Sequence, residues 1–340
     1  MKRISIAVLA TIVTLVLGST ASLAQQKLAQ TGFQFLSVGT DARATAMGDA
    51  FTSVDAGAAS LFYNPATLAL TERTLNFSVN QMTWIADINY LSGAVCYNPA
   101  RGRYGTFGLS FVTVDYGDFY GTVVSTSEKG YEDTGMFSVS AMALGLSYAH
   151  QLSDRFSVGG QVKYTYQDLG AHTTVANTRI LRDEITPDDL IQEDYNRATA
   201  AFDFGTFYRT GFKSLAFGMS VRNFSQDIRY EKETFQLPLT FKIGFSMDVL
   251  DFLPQMPENH EFLVSVDAAH PRSFPEYISV GGEYKLMQIL SLRAGYVGSQ
   301  SDYGFVAGFG VSKFGLSIDY SYAPFTIFED VNRISVRFAY

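Results

Sequence analysis

The sequence predicts an all-β protein, a 14-stranded antiparallel transmembrane β-barrel with an N-terminal, partly helical hatch. Three observations carry this. From residue 74 onward, apolar and polar residues alternate with period two. The alternating segments are about 9–11 residues long, the length a tilted strand needs to cross a bilayer. The composition suits two opposite faces: of 340 residues 47% are hydrophobic and 14% aromatic, yet only 17% are charged. A soluble all-β sandwich is the competing architecture, since it too alternates. It buries its apolar face and wets the other, whereas a barrel turns the apolar face to lipid and the polar face to a lumen. Segment length, Tyr and Phe near segment ends, and Gly, Ser and Ala on the polar phase all favour the barrel.

The first element is a secretory leader, residues 1–24. Lys2 and Arg3 are its basic start, and Ile4 to Leu17 its apolar run, too short for a spanning helix. Ser22-Leu23-Ala24 supplies the small residues that place cleavage after Ala24, and Gln25 rules out a lipoprotein cysteine. The alternative is an uncleaved anchor, disfavoured by the short run.

Residues 25–73 lack alternation and are expected to form the hatch. Ala42 to Phe51 reads as a short helix ending near Gly48 and Asp49. Asn64 and Pro65 read as the cap and first position of another. A stretch this apolar needs burial, and the barrel interior offers it; a loose leader segment is the alternative.

Residues 74–340 form the barrel. The expected strands are 74–81, 88–97, 104–114, 137–150, 155–168, 199–210, 214–224, 239–250, 260–270, 276–286, 289–297, 303–313, 315–323 and 332–340. The even number puts both termini on the periplasmic side. Connections then alternate mostly between tight turns and longer external loops, 115–136 and 169–198 being the longest. The second carries Arg179, Arg182, Asp183, Glu184, Asp188, Asp189, Glu193 and Asp194. They suit a protein grip or an ordinary solvated loop equally. Phe137 and Val139 are out of phase with Met142, Leu144, Leu146 and Tyr148. Either a β-bulge lies near Ser140 or that strand starts later. Phe338 and the final Tyr340, on an alternating strand, have the form of an outer-membrane assembly signal.

Charges on the polar phase are expected in the lumen: Lys163, Asp203, Arg222, Lys242, Asp248, Asp267, Glu283, Arg293, Asp319, Arg333 and Arg337. A midplane Lys or Arg on the lipid face costs about 2–4 kcal/mol. Mixed signs imply internal ion pairs and a filled interior rather than an open pore. Cys96 falls on the same side and carries no expected chemistry.

Several functions are disfavoured. The formal net charge of −8 argues against nucleic-acid binding. One cysteine and four scattered histidines suit neither a disulfide framework nor a metal site, so no cofactor is expected. No Gly-x-Ser-x-Gly elbow, His-Glu-x-x-His pattern or phosphate-binding loop occurs, and Asp188-Asp189 has no nearby histidine; an enzyme is not expected.

Phe35-Leu36, Val38-Gly39, Ala42-Arg43, Ala46-Met47-Gly48-Asp49-Ala50-Phe51 and Asn64-Pro65-Ala66 resemble the opening of the PorV/PorQ family. Trp84-Ile85-Ala86-Asp87-Ile88-Asn89-Tyr90 and Asp115-Tyr116-Gly117 extend the resemblance. That family is similar to the FadL-type outer-membrane transporters of fatty acids and hydrocarbons. The resemblance implies an outer-membrane barrel with an N-terminal hatch, linked to type IX protein secretion. PorV-like barrels bind the C-terminal domain of exported cargo and pass it to the surface attachment complex; PorQ-like barrels anchor a surface partner of that complex. The alternative it implies is a channel in which a hydrophobic small molecule leaves sideways past the hatch and a kinked wall strand.

Overall fold

The computed structural model describes residues 31–124, 128–175, 190–229, 234–253, 259–298, 304–325 and 328–340; side chains of 172–175 and 190–194 are not described. The proposed leader therefore lies outside the described residues.

Fourteen antiparallel strands close into one barrel. They are β1 (Leu75–Thr83), β2 (Asn89–Tyr97), β3 (Thr106–Val124), β4 (Tyr131–Ser153), β5 (Phe156–Val175), β6 (Leu190–Arg209), β7 (Ala216–Ser225), β10 (Thr240–Asp248), β11 (His260–Pro271), β12 (Tyr277–Leu286), β13 (Leu290–Val297), β14 (Phe305–Lys313), β15 (Leu316–Ala323) and β16 (Val331–Ala339). A small hairpin, β8 (Ile228–Arg229) with β9 (Thr234–Phe235), stands outside the barrel ladder. Each barrel strand pairs with its sequence neighbours, and β1 closes on β16 with Phe77 opposite Phe338. The seam continues to the last residue, where Leu75 and Tyr340 exchange both backbone hydrogen bonds at 3.1 and 2.8 Å.

Alternation decides which face each residue takes. On β4, Leu144, Leu146 and Tyr148 are exposed while Ala143, Gly145, Ser147 and Ala149 are buried. On β1, Phe77 and Val79 point out while Asn76, Ser78 and Asn80 are buried. Leu146 is 61% exposed, and the same pattern recurs around the barrel, from Phe204 to Ile334. So large an apolar surface would be a liability in water and is what a lipid-facing band requires.

Four strands are far longer than the periodicity indicates. β3, β4, β5 and β6 have 19, 23, 20 and 20 residues, against 12 or fewer in the others. Much of 115–136 and 169–198, expected as loops, is therefore strand that rises beyond the rest of the wall. These residues see water on both faces, so their pairing leaves no apolar alternation to read. The charged tip of the second segment, 176–189, lies outside the described residues.

A bulge does lie beside Ser140, but its extra residue is on the partner strand β3. β4 does not start late and carries no extra residue at Ser140, where Phe137 and Val139 share the phase of Ala141 and Ala143; its own extra residues are Thr134 and Leu152. At this level the irregularities lie in its neighbours. An extra residue interrupts β3 between Asp115 and Asp118, opposite Ser140 and Ser138, and another interrupts β5 between Asp168 and Ala171.

The N-terminal segment sits inside the barrel. α1 (Ala42–Thr45) is a single helical turn, capped by the Asp41 carboxylate on the Ala44 N–H at 2.9 Å. It is shorter than the expected 42–51 helix because Gly48 and Asp49 take left-handed backbone angles, φ +65° and +55°. Two 3₁₀ turns follow, Gly57–Phe62 and Pro65–Leu70, the second with Asn64 accepting from the Ala66 N–H. Ala44, Met47, Phe51, Val54, Ala59 and Tyr63 pack together as the hatch's own core.

Candidate functional site: a seated hatch and two mouths

The wall makes room for the hatch with glycines on its inward phase. A Cβ on Gly295 would lie 2.3 Å from the Gly48 nitrogen, and one on Gly281 2.3 Å from the Met47 carbonyl oxygen. On Gly218 it would meet the Thr52 carbonyl at 2.3 Å, and on Gly159 the Pro65 carbonyl at 2.5 Å. Hatch backbone thus lies directly on wall backbone, leaving no gap for a side chain. Inward glycines recurring in successive strands were the sequence signal for this seat; on their own they read only as relief of crowding.

Polar bonds fix the hatch in register. Glu283, fully buried on β12, holds Arg43 of the hatch through both carboxylate oxygens at 2.7 and 2.8 Å. It also meets Arg293 at 2.5 Å and Lys285 at 3.4 Å. Arg293 continues to Asp319 at 2.7 Å, and Asp319 to Arg337 at 2.6 Å. Asp267 accepts from the backbone N–H groups of Phe51 and Thr52, each at 3.0 Å, and from the Thr52 hydroxyl at 2.6 Å. Lys242 donates to the Asp49 carbonyl at 3.1 Å, Arg333 to the Gly39 carbonyl at 3.1 Å, and Arg222 to the Leu36 carbonyl at 3.4 Å. Ser335 accepts from the Ala42 N–H at 2.7 Å, and Asn64 donates to the Thr206 carbonyl at 3.0 Å.

The other charges complete the placement. Lys163 pairs with Asp203 at 2.8 Å, both on the wall. Asp203 also accepts from the Asn223 N–H at 2.7 Å, at a β7 irregularity where both Arg222 and Asn223 stand opposite it. Asp248 is apart from this network. It sits at the barrel end that carries the termini and accepts from the Leu250 and Phe262 N–H groups at 2.9 and 3.1 Å. Cys96 is buried. Phe338 and Tyr340 are exposed.

Burial sets the protonation of the hatch. It pushes the Asp41 carboxyl above its ordinary value, a rise that Asp319 reinforces and Arg337 and Arg43 oppose. Burial alone would lower the Arg43 guanidinium, but Glu283 more than reverses this and fixes it as a cation. Tyr63 is held well above the usual tyrosine value, first by burial, then by Asp49 and Asp41.

The far mouth is capped by rings. Trp84 meets Phe325 edge-on with centroids 5.3 Å apart, and the Arg333 guanidinium lies 5.1 Å from the Trp84 ring. Phe33 stacks on Phe235 at 6.3 Å, above Leu36, Met82, Ile228, Leu237 and Val331. At the opposite mouth an open vestibule of about 1100 Å³ is rimmed by Arg73, Arg155, Arg209 and Lys213. Between them, the space where the hatch residues Phe35, Leu36 and Phe62 face Lys163 and Arg222 holds only about 30 Å³. That is room for a water or two, against about 150 Å³ for a cavity that admits benzene. Among the described residues, no group of three or more His, Cys, Asp or Glu is placed to hold a metal ion.

No curated protein matches the sequence. Solved structures do. The toluene transporter TbuX of Ralstonia pickettii aligns with a TM-score of 0.60 at 14% identity, over 89% of this chain and 98% of that one. The toluene transporter TodX of Pseudomonas putida aligns at 0.55 and 13%, over 86% and 95%. A FadL homologue of Pseudomonas aeruginosa aligns at 0.53 and 11%, over 89% and 99%. At such identities the likeness is one of fold: the FadL-type outer-membrane barrel. The sequence model of the type IX secretion system protein PorV matches residues 21–253, most of the chain. The chain belongs to the PorV family of type IX secretion system proteins.

Proposed function

We propose that this protein is an outer-membrane scaffold of type IX secretion that binds a protein partner on the cell surface. The partner is the C-terminal domain of a secreted cargo or a protein of the surface attachment complex. The observation that carries this is the occluded lumen: the hatch is pinned to the wall, and about 30 Å³ is left beside Lys163 and Arg222. A centre filled in this way favours the rims as the place of function over an open pore.

The leader, residues 1–24, is removed on export, 25–73 serves as the hatch and 74–340 as the barrel. The termini face the periplasm. The tight connections at their end support this, because barrels of this class keep short turns on the periplasmic side and long extensions outside. The raised wall of β3–β6 then projects from the cell. Ten of the eleven polar-phase charges, all but Asp248, hold the hatch and the lumen together, and Gly48, Asp49, Asn64, Pro65 and Ala66 shape the hatch turns. Phe338 and Tyr340 serve as the assembly signal.

The test is crosslinking in the native outer membrane, followed by identification of the partners. Recovery of secreted C-terminal domains or attachment-complex proteins is the expected result. A second reading, uptake of a hydrophobic small molecule, is favoured by the likeness in fold to the toluene transporters. Loss of toluene or fatty-acid uptake on deletion of the gene, with no protein partner crosslinked, would replace the first reading by the second.

A further inference from the structure

We propose that the vestibule at the mouth with the tight turns docks an acidic, amphipathic segment of another protein, whose carboxylates pair with Arg73, Arg101, Arg155 and Arg209. To call that protein periplasmic rests on the proposed orientation of the barrel; the site itself needs neither that orientation nor the surface role.

Charge singles out this mouth. The chain as a whole is acidic, with a formal net charge of −8. The vestibule and a second cavity beside it, of about 550 Å³, are nevertheless lined by eight cations and four anions, an excess of four cations. Some of these cations are already matched. Arg43, Lys285 and Arg337 hold Glu283, Glu261 and Asp319, and Lys213 lies over the Phe252 ring at 4.2 Å. Arg73, Arg101, Arg155 and Arg209 are not: among the described residues, none has a carboxylate within ion-pair distance. The far rim has the opposite sign, with Asp118, Glu132, Asp133, Asp168, Glu329 and Asp330. An acidic segment is therefore drawn to one mouth and repelled by the other.

The arginines are placed by the turns. Arg73 and Arg209 line both cavities, which adjoin where the hatch leaves the lumen at Leu70–Arg73. Arg209 continues the inward phase of Asp203, Gly205 and Phe207, which turns it toward the vestibule. Its N–H donates to the Arg155 carbonyl at 2.7 Å, so the two residues are neighbours across two turns. The Arg155 side chain lies back over the β6–β7 turn, where a Cβ on Gly211 would stand 2.7 Å from its Nη1. Gly211 has φ +83°, so the turn itself calls for the residue that leaves the guanidinium room. A side chain seated in this way loses less freedom on binding than one that swings in water.

Guanidinium groups bind carboxylates and phosphates through paired hydrogen bonds. Size and wall decide what carries the anion. About 1100 Å³ exceeds the roughly 300–1,000 Å³ of small-molecule sites, and four arginines spread over two cavities do not converge on one ion. Among them Val54, Ala56, Leu70, Phe207, Leu215 and Leu263 supply apolar wall. A polypeptide that mixes acidic and apolar side chains fits both features. A phospholipid fits less well: the exposed rings of Tyr208 and Phe212 mark the lipid side of the β6–β7 hairpin, and the vestibule opens on its other side.

The experiment titrates the full barrel, in nanodiscs of neutral lipid, with a dye-labelled octapeptide of alternating glutamate and leucine. The control peptide has lysine in place of glutamate. Fluorescence anisotropy is expected to show the acidic peptide binding at least about tenfold more tightly than the control. Arg155→Glu combined with Arg209→Glu should weaken it by about tenfold or more, the scale of opposed interfacial charges. Arg73→Glu alone should weaken it in the same direction, and Arg272→Glu at the far rim should leave it unchanged. Raising salt from about 0.01 to 0.15 M, which shortens screening from roughly 30 to 8 Å, should also weaken it. Heat-modifiable migration confirms that each variant is a folded barrel. Equal affinity for both peptides, or indifference to the arginine variants, overturns the proposal. Displacement of the peptide by inorganic phosphate at equal concentration would make this a simple anion site, and displacement by short-chain phosphatidylglycerol alone a lipid site; either overturns it too. All of these failures leave the surface role standing, whereas peptide binding with no partner crosslinked in the native membrane would remove that role and keep this site.

Discussion

Single residues decide how firmly the hatch sits. At Gly295 an added methyl group would press on hatch backbone at Met47 and Gly48, not on a side chain able to turn away. Gly295→Ala should therefore loosen the hatch by about 1–3 kcal/mol, as overpacking does. Faster amide exchange across Ala42–Phe51 is the readout. Gly160→Ala is the control: its Cβ would find its nearest neighbour at 3.6 Å, and the change should stay within about 0.5 kcal/mol. Asp41 gives a pH dependence of definite sign. Its carboxyl is raised in the docked hatch, chiefly by burial. A raised carboxyl contributes stability that is full below its ordinary value of about 3.8 and is lost as pH climbs through the raised docked value. Hatch exchange in the native protein should therefore quicken with rising pH in that window after correction for intrinsic rates. Asp41→Asn, which keeps an acceptor for the Ala44 N–H, should remove the dependence. An identical pH profile in the variant would refute the assignment.

At the scale of elements, the strands were legible wherever one face meets lipid. β7, β10, β12 and β15 follow the alternation to within a few residues because the bilayer imposes an apolar phase. Above the bilayer that constraint ends. Glu132 and Asp133 lie on β4 and Asp118 on β3, in residues that read as loop. The inward placement of charge was legible in the same way, from the penalty of facing lipid. Its pairing was not: Arg43 and Glu283 are 240 residues apart, and only the closed barrel brings them together. The bulges of β3 and β5 carry Asp115-Tyr116-Gly117 and Asp168-Leu169-Gly170 and were present in the sequence, but their effect depends on flanking the same strand, for the β4–β5 ladder ends between them at Ser140 opposite Asp168. This gives the bulge at β5 a test of its own. Gly170→Val places a β-branched residue at φ +82° against Phe137. It should cost about 1–3 kcal/mol in barrel stability, as held left-handed strain does. Denaturant unfolding read by heat-modifiable migration measures it, and an unchanged midpoint would show that β4 and β5 do not need this glycine to part.

The whole molecule behaves as one closed body because its network runs from wall to hatch and back to wall. Arg337, Asp319, Arg293, Glu283 and Arg43 form a continuous chain from β16 through β15, β13 and β12 to the hatch. Breaking one link leaves others: without Arg43, Glu283 keeps Arg293 and Lys285, so Arg43→Ala should cost less than the roughly 3–5 kcal/mol of an orphaned buried charge. The hatch should therefore stay seated in single variants and leave only when several ties go together. In planar bilayers the native protein should show no large steady conductance. Arg43→Ala combined with Asp267→Ala removes the ion pair to β12 and the carboxylate that holds Phe51 and Thr52. That double variant should show intermittent openings, and deletion of residues 33–71 should give a steady pore lined by the charges of the wall. Barrel integrity is checked for each by heat-modifiable migration, and the double variant keeps the test alive if the deletion fails to assemble. A large steady conductance from the native protein would mean that the hatch leaves the lumen unaided, and the rims would then have to share the function with a path through the centre.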